Sequence, residues 1–206
     1  PAGARCNLRC TYCYYLEKSN LYPAAPAQTM SDELLERFIR DYIAAQAGDA
    51  VSFAWHGGET LLRSRDFYRR VIELQRRYAD GRQIDNSIQT NGTLLTPALC
   101  RELRARRVAV GVSLDGVGPD NAARRTPEGE PSFQATARGL QTLAAAGMAA
   151  NLTAVVSAGS VRGLDRLLDF ALWCGNVHGV GLDLGAAPGR GAGRGCPPPP
   201  RRWPRV

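Results

Sequence analysis

Short apolar runs alternate with helix-spaced stripes along most of the chain, and this alternation leaves few folds open to it. Val51 to Trp55, Ile84 to Gln89, Val108 to Leu114, Asn151 to Val156 and Val177 to Leu184 read as strands, with Ala2 to Arg5 as a short first one. Leu34, Leu35, Phe38, Ile39, Tyr42 and Ile43 recur at helical spacing and mark one buried face, as do Phe67, Val71, Leu74 and Tyr78 after the next strand. Ser31 is placed to cap the first of these helices, and Thr96-Pro97 starts another with a cap and a proline at the first position. Ser132 is expected to cap a helix carrying Phe133, Leu140 and Leu143 that stops at Gly147, and Leu164 to Trp173 is the helix after that. Six strands separated by five helices predict an α/β chain built on a parallel sheet with right-handed crossovers.

The chemistry-bearing residues fall where such a sheet binds ligands. Cys6 to Cys13, Gly57 to Glu59, Asn91, Ser113, Asp115 and Arg125 all lie at or just beyond the C-terminal ends of strands. Cys6, Cys10 and Cys13 stand at C-x3-C-x2-C spacing with Tyr12 beside the last. Thiolates hold iron–sulfur clusters, and a four-iron cluster with three cysteine ligands keeps one iron open to a small molecule. A zinc site completed by His56 or His178 is the alternative. A disulfide framework suits small exported domains better than a chain of 206 residues. Gln89 and Asn91 would point two amides into the mouth of the sheet, unless Asn91-Gly92 is simply a turn. Cys100 and Cys174 fit buried structural positions, and His56 fits a packed strand residue better than a base.

Charge and hydropathy exclude two partner classes. Arg190, Arg194, Arg201, Arg202 and Arg205 supply five of the formal net charge of +7, so the remainder is no basic surface for nucleic acid. No apolar run approaches the roughly 20 residues that cross a bilayer, and no export signal is visible, so a cytoplasmic location with reduced thiols is expected. Residues 1–184 are expected to form one domain and 185–206 a disordered Gly/Pro/Arg-rich tail that cannot build a helix. Pro1 in place of a start methionine suggests a missing N-terminus, and the composition of the tail suggests a reading-frame error in GC-rich DNA.

The cysteine run resembles the signature of radical SAM enzymes, which use S-adenosyl-L-methionine. Four blocks in order, Pro1 to Lys18, Phe53 to Glu59, Ile88 to Leu95 and Val112 to Gly116, resemble the anaerobic sulfatase-maturating enzymes, with the likeness extending over residues 1 to about 184. The resemblance implies a partial (β/α)6 barrel lacking the final helix and the C-terminal auxiliary-cluster domain. It implies a [4Fe-4S] cluster on Cys6, Cys10 and Cys13, with S-adenosyl-L-methionine chelating the open iron and giving a 5′-deoxyadenosyl radical on cleavage. Gly57, Gly58 and Glu59 would bind the methionine end, the glycines by close approach of backbone carbonyls to an ammonium. Ser113 and Asp115 would face ribose or methionine groups, or merely form a capped turn. One of Arg124 and Arg125 would pair with the cofactor carboxylate, and alignment favours Arg125. Tyr12 and Val180 would flank adenine, unless they are core.

The implied reaction oxidises a cysteine or serine of a sulfatase to formylglycine, with an electron donor such as flavodoxin or ferredoxin. Rivals are a relative that modifies another peptide, and a non-functional remnant or zinc-binding interaction module. The sequence departs from the family at Thr60, where proline is usual, and at Asn121-Ala122-Ala123-Arg124-Arg125, where His-Asp-x-x-Arg is usual. The family's auxiliary-cluster cysteines and the acidic base beyond the barrel are not in this sequence. This chain alone is therefore expected to bind one cluster without completing formylglycine formation.

Overall fold

A computed structural model describes residues 3–13, 15–16, 30–157 and 160–184. The expected tail at 185–206 lies outside the described residues. The strands are β1 (Ala50–Trp55), β2 (Gln83–Thr90), β3 (Ala109–Ser113), β4 (Ala150–Val156) and β5 (Val177–Leu184). They form one sheet in the order β1-β2-β3-β4-β5, every neighbouring pair parallel. Helices α1 (Asp32–Ala45), α2 (Arg65–Tyr78), α3 (Pro97–Ala105), α4 (Phe133–Ala145) and α5 (Leu164–Cys174) flank or connect the strands. The register sets Trp55 against Ile88, Thr90 against Val112 and Ser113 against Thr153, so the C-terminal ends of β1 to β4 share one rim.

Caps explain where most helices start. The hydroxyls of Ser31, Ser64 and Thr96 accept from the backbone N–H of Leu34, Phe67 and Leu99, which satisfies donors the first turn leaves unpaired. Ser132 is a correction: its hydroxyl makes no cap and instead donates to the carbonyl of Arg124 at 2.9 Å. Gly147 ends this turn with φ of 65°, as expected of a glycine stop.

The hydrophobic stripe of α1 is narrower than its spacing predicts. Leu35, Ile39 and Ile43 are fully buried, whereas Leu34 and Phe38 lie at the margin and stay exposed. Phe67, Val71 and Leu74 bury one face of α2, and Val51, Phe53 and Trp55 alternate inward along β1. Phe53 and Trp55 stack with ring centroids 5.9 Å apart. The other face of β1 is exposed, and so is most of β5 beyond Val180, where Leu182 and Leu184 face solvent, as do Leu172 and Trp173 at the end of α5. Parallel strands covered on both faces read as continuous apolar runs. Here one face of β1 is open, which is consistent with a partial barrel.

The first expected strand is the second correction. Gly3 to Arg5 carry no strand, and Ala2 lies outside the described residues. The carbonyls of Gly3 and Arg5 accept from the backbone N–H of Gly58 and Glu59 at 2.8 and 2.7 Å, in the loop past β1. The segment therefore docks on the rim instead of extending the ladder. Among the described residues no helix is long and apolar enough to cross a membrane.

Candidate functional site

The cysteine loop lies on the shared rim and is held from two sides. On the β1–β2 side, Gly57 and Gly58 meet the N-terminal segment so closely that side chains are excluded. A β-carbon on Gly57 would stand 2.2 Å from the Gly3 carbonyl oxygen, and one on Gly58 would stand 2.2 Å from that of Arg5. The glycines thus admit protein backbone. Glu59, only 3% exposed, spends both carboxylate oxygens inside the fold. Oε1 accepts from the backbone N–H of Leu61 at 2.8 Å and from the Thr90 hydroxyl at 2.7 Å, and Oε2 accepts from the N–H of Asn91 at 2.8 Å. Burial pushes its carboxyl above the usual carboxylate range even though these donors oppose the shift.

Asn91 passes this anchorage on to the cysteines. Its Nδ2 donates to Asn7 Oδ1 at 2.8 Å and reaches the Cys6 sulfur at 3.9 Å, while its Oδ1 accepts from the Thr93 N–H at 3.0 Å. Asn7 Nδ2 donates to the Thr93 hydroxyl at 2.8 Å, and the N–H of Leu8 points at Cys6 Sγ at 3.3 Å. Asn7 and Thr93 sit inside the two sequence blocks already singled out, but nothing in either block says that they meet.

On the β3–β4 side the anchor is charged. Asp115, 2% exposed, accepts from the Tyr12 hydroxyl through Oδ2 at 2.6 Å and from the Val155 N–H through Oδ1 at 2.9 Å. Arg124 forms an ion pair with Oδ1 at 2.9 Å, and its guanidinium carbon stands 5.7 Å from the Tyr12 ring centroid. Asn121, where the family usually has histidine, accepts from the Asp115 N–H at 3.0 Å. The backbone N–H groups of Arg9 and Thr11 donate to the carbonyls of Arg125 and Ala123 at 2.7 and 2.9 Å.

The two candidate arginines therefore differ in place. Arg124 is buried on Asp115, whereas the Arg125 guanidinium is less buried and folds onto the Ala122 carbonyl at 2.6 Å. Ser113 accepts from Gln89 Nε2 at 2.8 Å, an approach opened by Gly111, where a β-carbon would stand 2.1 Å from Gln89 Oε1. Val180 lies opposite Leu152 in β5 and packs against the core. His56 is exposed, not packed as expected, because it follows β1 into the open loop. His178 starts β5 and so stands at the opposite edge of the sheet from the cysteines. Cys100 is buried and Cys174 half-buried, as structural positions.

Cys6, Cys10 and Cys13 are free thiols on one loop, Cys6 exposed and the other two half-buried. Burial pushes the Cys10 thiol up to about 11 despite the nearby Arg124, and the Cys6 thiol up as well. Any metal centre here must displace protons to bind. Among the described residues no group of His, Cys, Asp or Glu is gathered closely enough to hold a single metal ion, and His178 is out of reach. The donor set fits a larger centre: three soft thiols, an amide and a backbone N–H near one sulfur, and an open outer side.

A model of the Radical SAM superfamily matches residues 1–169, and the chain belongs to that superfamily. Within it, the chain is 51% identical over 158 residues to a serine-type anaerobic sulfatase-maturating enzyme of Bacteroides thetaiotaomicron, covering 76% of this chain and 38% of that one. It is 32% identical over 169 residues to the cysteine-type enzyme of Clostridium perfringens, covering 81% and 45%. A solved structure described as native anSMEcpe with bound AdoMet and Kp18Cys peptide superposes with a TM-score of 0.78 at 28% identity, covering 91% of this chain and 50% of that one. The chain thus spans about half or less of these relatives.

Proposed function

We propose that this chain is the cluster- and cofactor-holding part of a radical SAM enzyme that oxidises a cysteine or serine of a sulfatase to formylglycine. The observation that carries the reading is the free three-thiol loop fixed at the C-terminal rim of a parallel sheet. Cys6, Cys10 and Cys13 would hold a [4Fe-4S] cluster with one iron left for S-adenosyl-L-methionine. When bound, that pair supplies a one-electron cleavage releasing methionine and a 5′-deoxyadenosyl radical, which takes hydrogen from the substrate.

The protein's own part is placement. Glu59 ties the turn to β2, and the backbone carbonyls of Gly57 and Gly58 would meet the ammonium of the methionine end. Arg125, less committed than Arg124, is free to exchange the Ala122 carbonyl for a carboxylate, a stronger charge-assisted pairing. Ser113 offers a hydroxyl to ribose or methionine groups, and Asp115 orients Tyr12 toward the adenine with Val180 as an apolar wall. The Asn91 amide near the Cys6 sulfur would help to set the reduction potential. The substrate would be a sulfatase polypeptide, the electron source a flavodoxin or ferredoxin, and the setting a reducing cytoplasm.

Anaerobic reconstitution with iron and sulfide tests this. About four irons per chain and a broad band near ~400 nm are expected, followed by methionine release from S-adenosyl-L-methionine under reductant. An iron-free, colourless product would overturn the reading. Incubated with a sulfatase-derived peptide, this chain alone is expected to leave the cysteine or serine without the mass loss of formylglycine; a stoichiometric mass loss would show that no further part of the protein is needed.

A further inference from the structure

We infer that Arg124, the arginine that the alignment passes over in favour of Arg125, is a positioning residue that clamps the cysteine loop and supplies its counter-charge. The inference rests on the cluster reading above but is separable from it.

The argument begins with burial. Arg124 is 7% exposed and Asp115 2%, so both charges have left water, which is costly unless each has the other. The guanidinium Nε stands 2.9 Å from Asp115 Oδ1 as an ion pair, without the angle of a hydrogen bond, and the guanidinium carbon lies over the Tyr12 ring, 5.7 Å from its centroid. Tyr12 closes the circuit by donating to Asp115 Oδ2. Because Tyr12 lies between Cys10 and Cys13 in the chain, this three-member unit fixes the half of the loop that Asn91 does not reach. Its backbone is pinned too, since the Arg124 carbonyl accepts from both the N–H and the hydroxyl of Ser132 at 3.1 and 2.9 Å.

Charge completes the case. Three cysteine thiolates and a buried carboxylate would put negative charge on negative charge in a poorly solvated corner. Arg124 is the buried cation that stands against them, within electrostatic reach of Cys10. A positive charge held there favours the reduced, more negative state of a cluster, because Coulomb interactions are weakly screened away from water. Lysine would keep the charge but not the planar contact with both the carboxylate and the ring.

The full chain prepared anaerobically provides two readouts. In the apo form, alkylation of Cys10 and Cys13, compared at equal thiolate fraction, is expected to be several-fold faster in Arg124→Gln and Arg124→Lys than in the parent, because the clamp is loosened. In the loaded form, Arg124→Gln should shift the cluster potential to more negative values. Arg124→Lys should hold it near the parent value, and Asp115→Asn combined with Arg124→Gln should bring it back toward the parent. Parent-like alkylation in both single variants, or a potential indifferent to the sign of charge at the pair, would overturn the inference. Should Arg124→Gln fail to fold, Arg124→Lys and the double variant carry both comparisons. A parent chain that takes up no cluster sinks the proposed function, while the alkylation rates still decide the clamp.

Discussion

The two anchors of the cysteine loop solve one problem with different chemistry. The β1–β2 side uses glycine contacts and a hydrogen-bonded carboxylate, with Glu59 satisfied by neutral donors. The β3–β4 side uses a buried ion pair closed by a phenol. A hydrogen-bonded anchor of the first kind is fixed by shape and tolerates no added atoms. The second is fixed by charge balance, and should respond to the sign of a substitution more than to its size.

The largest expected effect removes what both anchors hold. Cys10→Ala should abolish cluster absorbance and iron binding while leaving the fold intact, as read by near-zero iron in anaerobically reconstituted protein and an unchanged far-UV circular dichroism spectrum. Next, Gly58→Ala should break the first anchor alone. Its β-carbon would meet the carbonyl oxygens of Arg5 and Ala4 at 2.2 and 2.4 Å, so backbone must move. Overpacking of this kind costs about 1–3 kcal/mol or more, and iron retention should fall together with the denaturation midpoint.

Glu59→Ala should cost about 2–4 kcal/mol, since it leaves buried donors on Leu61, Thr90 and Asn91 without an acceptor. The same residue sharpens the contrast through pH. Its folded-state carboxyl is raised by burial, so folding favours the protonated form. Its contribution is full below the unfolded value and lost as pH rises through the folded one. Denaturant unfolding of the parent, compared with Glu59→Gln, should therefore show the parent losing relative stability upward from about pH 4.5. Smallest is Arg69→Ala, which breaks an exposed pair with Asp66 in the first turn of α2. Exposed pairs contribute about 0–1 kcal/mol, so both stability and iron content should barely move.

Much of this site was legible in the chain because its chemistry is local. C-x3-C-x2-C needs only loop spacing, and Gly57-Gly58-Glu59 and Asn91-Gly92 follow strands whose apolar alternation marks their ends. The Glu59 carboxylate, expected at the methionine end of the cofactor, also takes donors from Leu61, Thr90 and Asn91. The misreadings share one cause. Ser132 looked like a cap, but the loop carrying Arg124 claims its hydroxyl. Ala2 to Arg5 looked like a strand, yet the carbonyls of Gly3 and Arg5 meet loop amides past β1.

By itself the sequence determined the order of strands and helices, the rim on which the motifs gather and the thiol set of the loop, since each depends on spacing within a few residues. Only the tertiary structure decided which of two adjacent arginines is buried on Asp115, that Tyr12 completes the pair, and that Asn7 meets Asn91 and Thr93. Apart from the Arg124–Asp115 pair, these contacts join residues 84 to 103 positions apart. Whether a polar side chain spends its hydrogen bonds within the fold or keeps them for a ligand depends on what the packed sheet brings beside it.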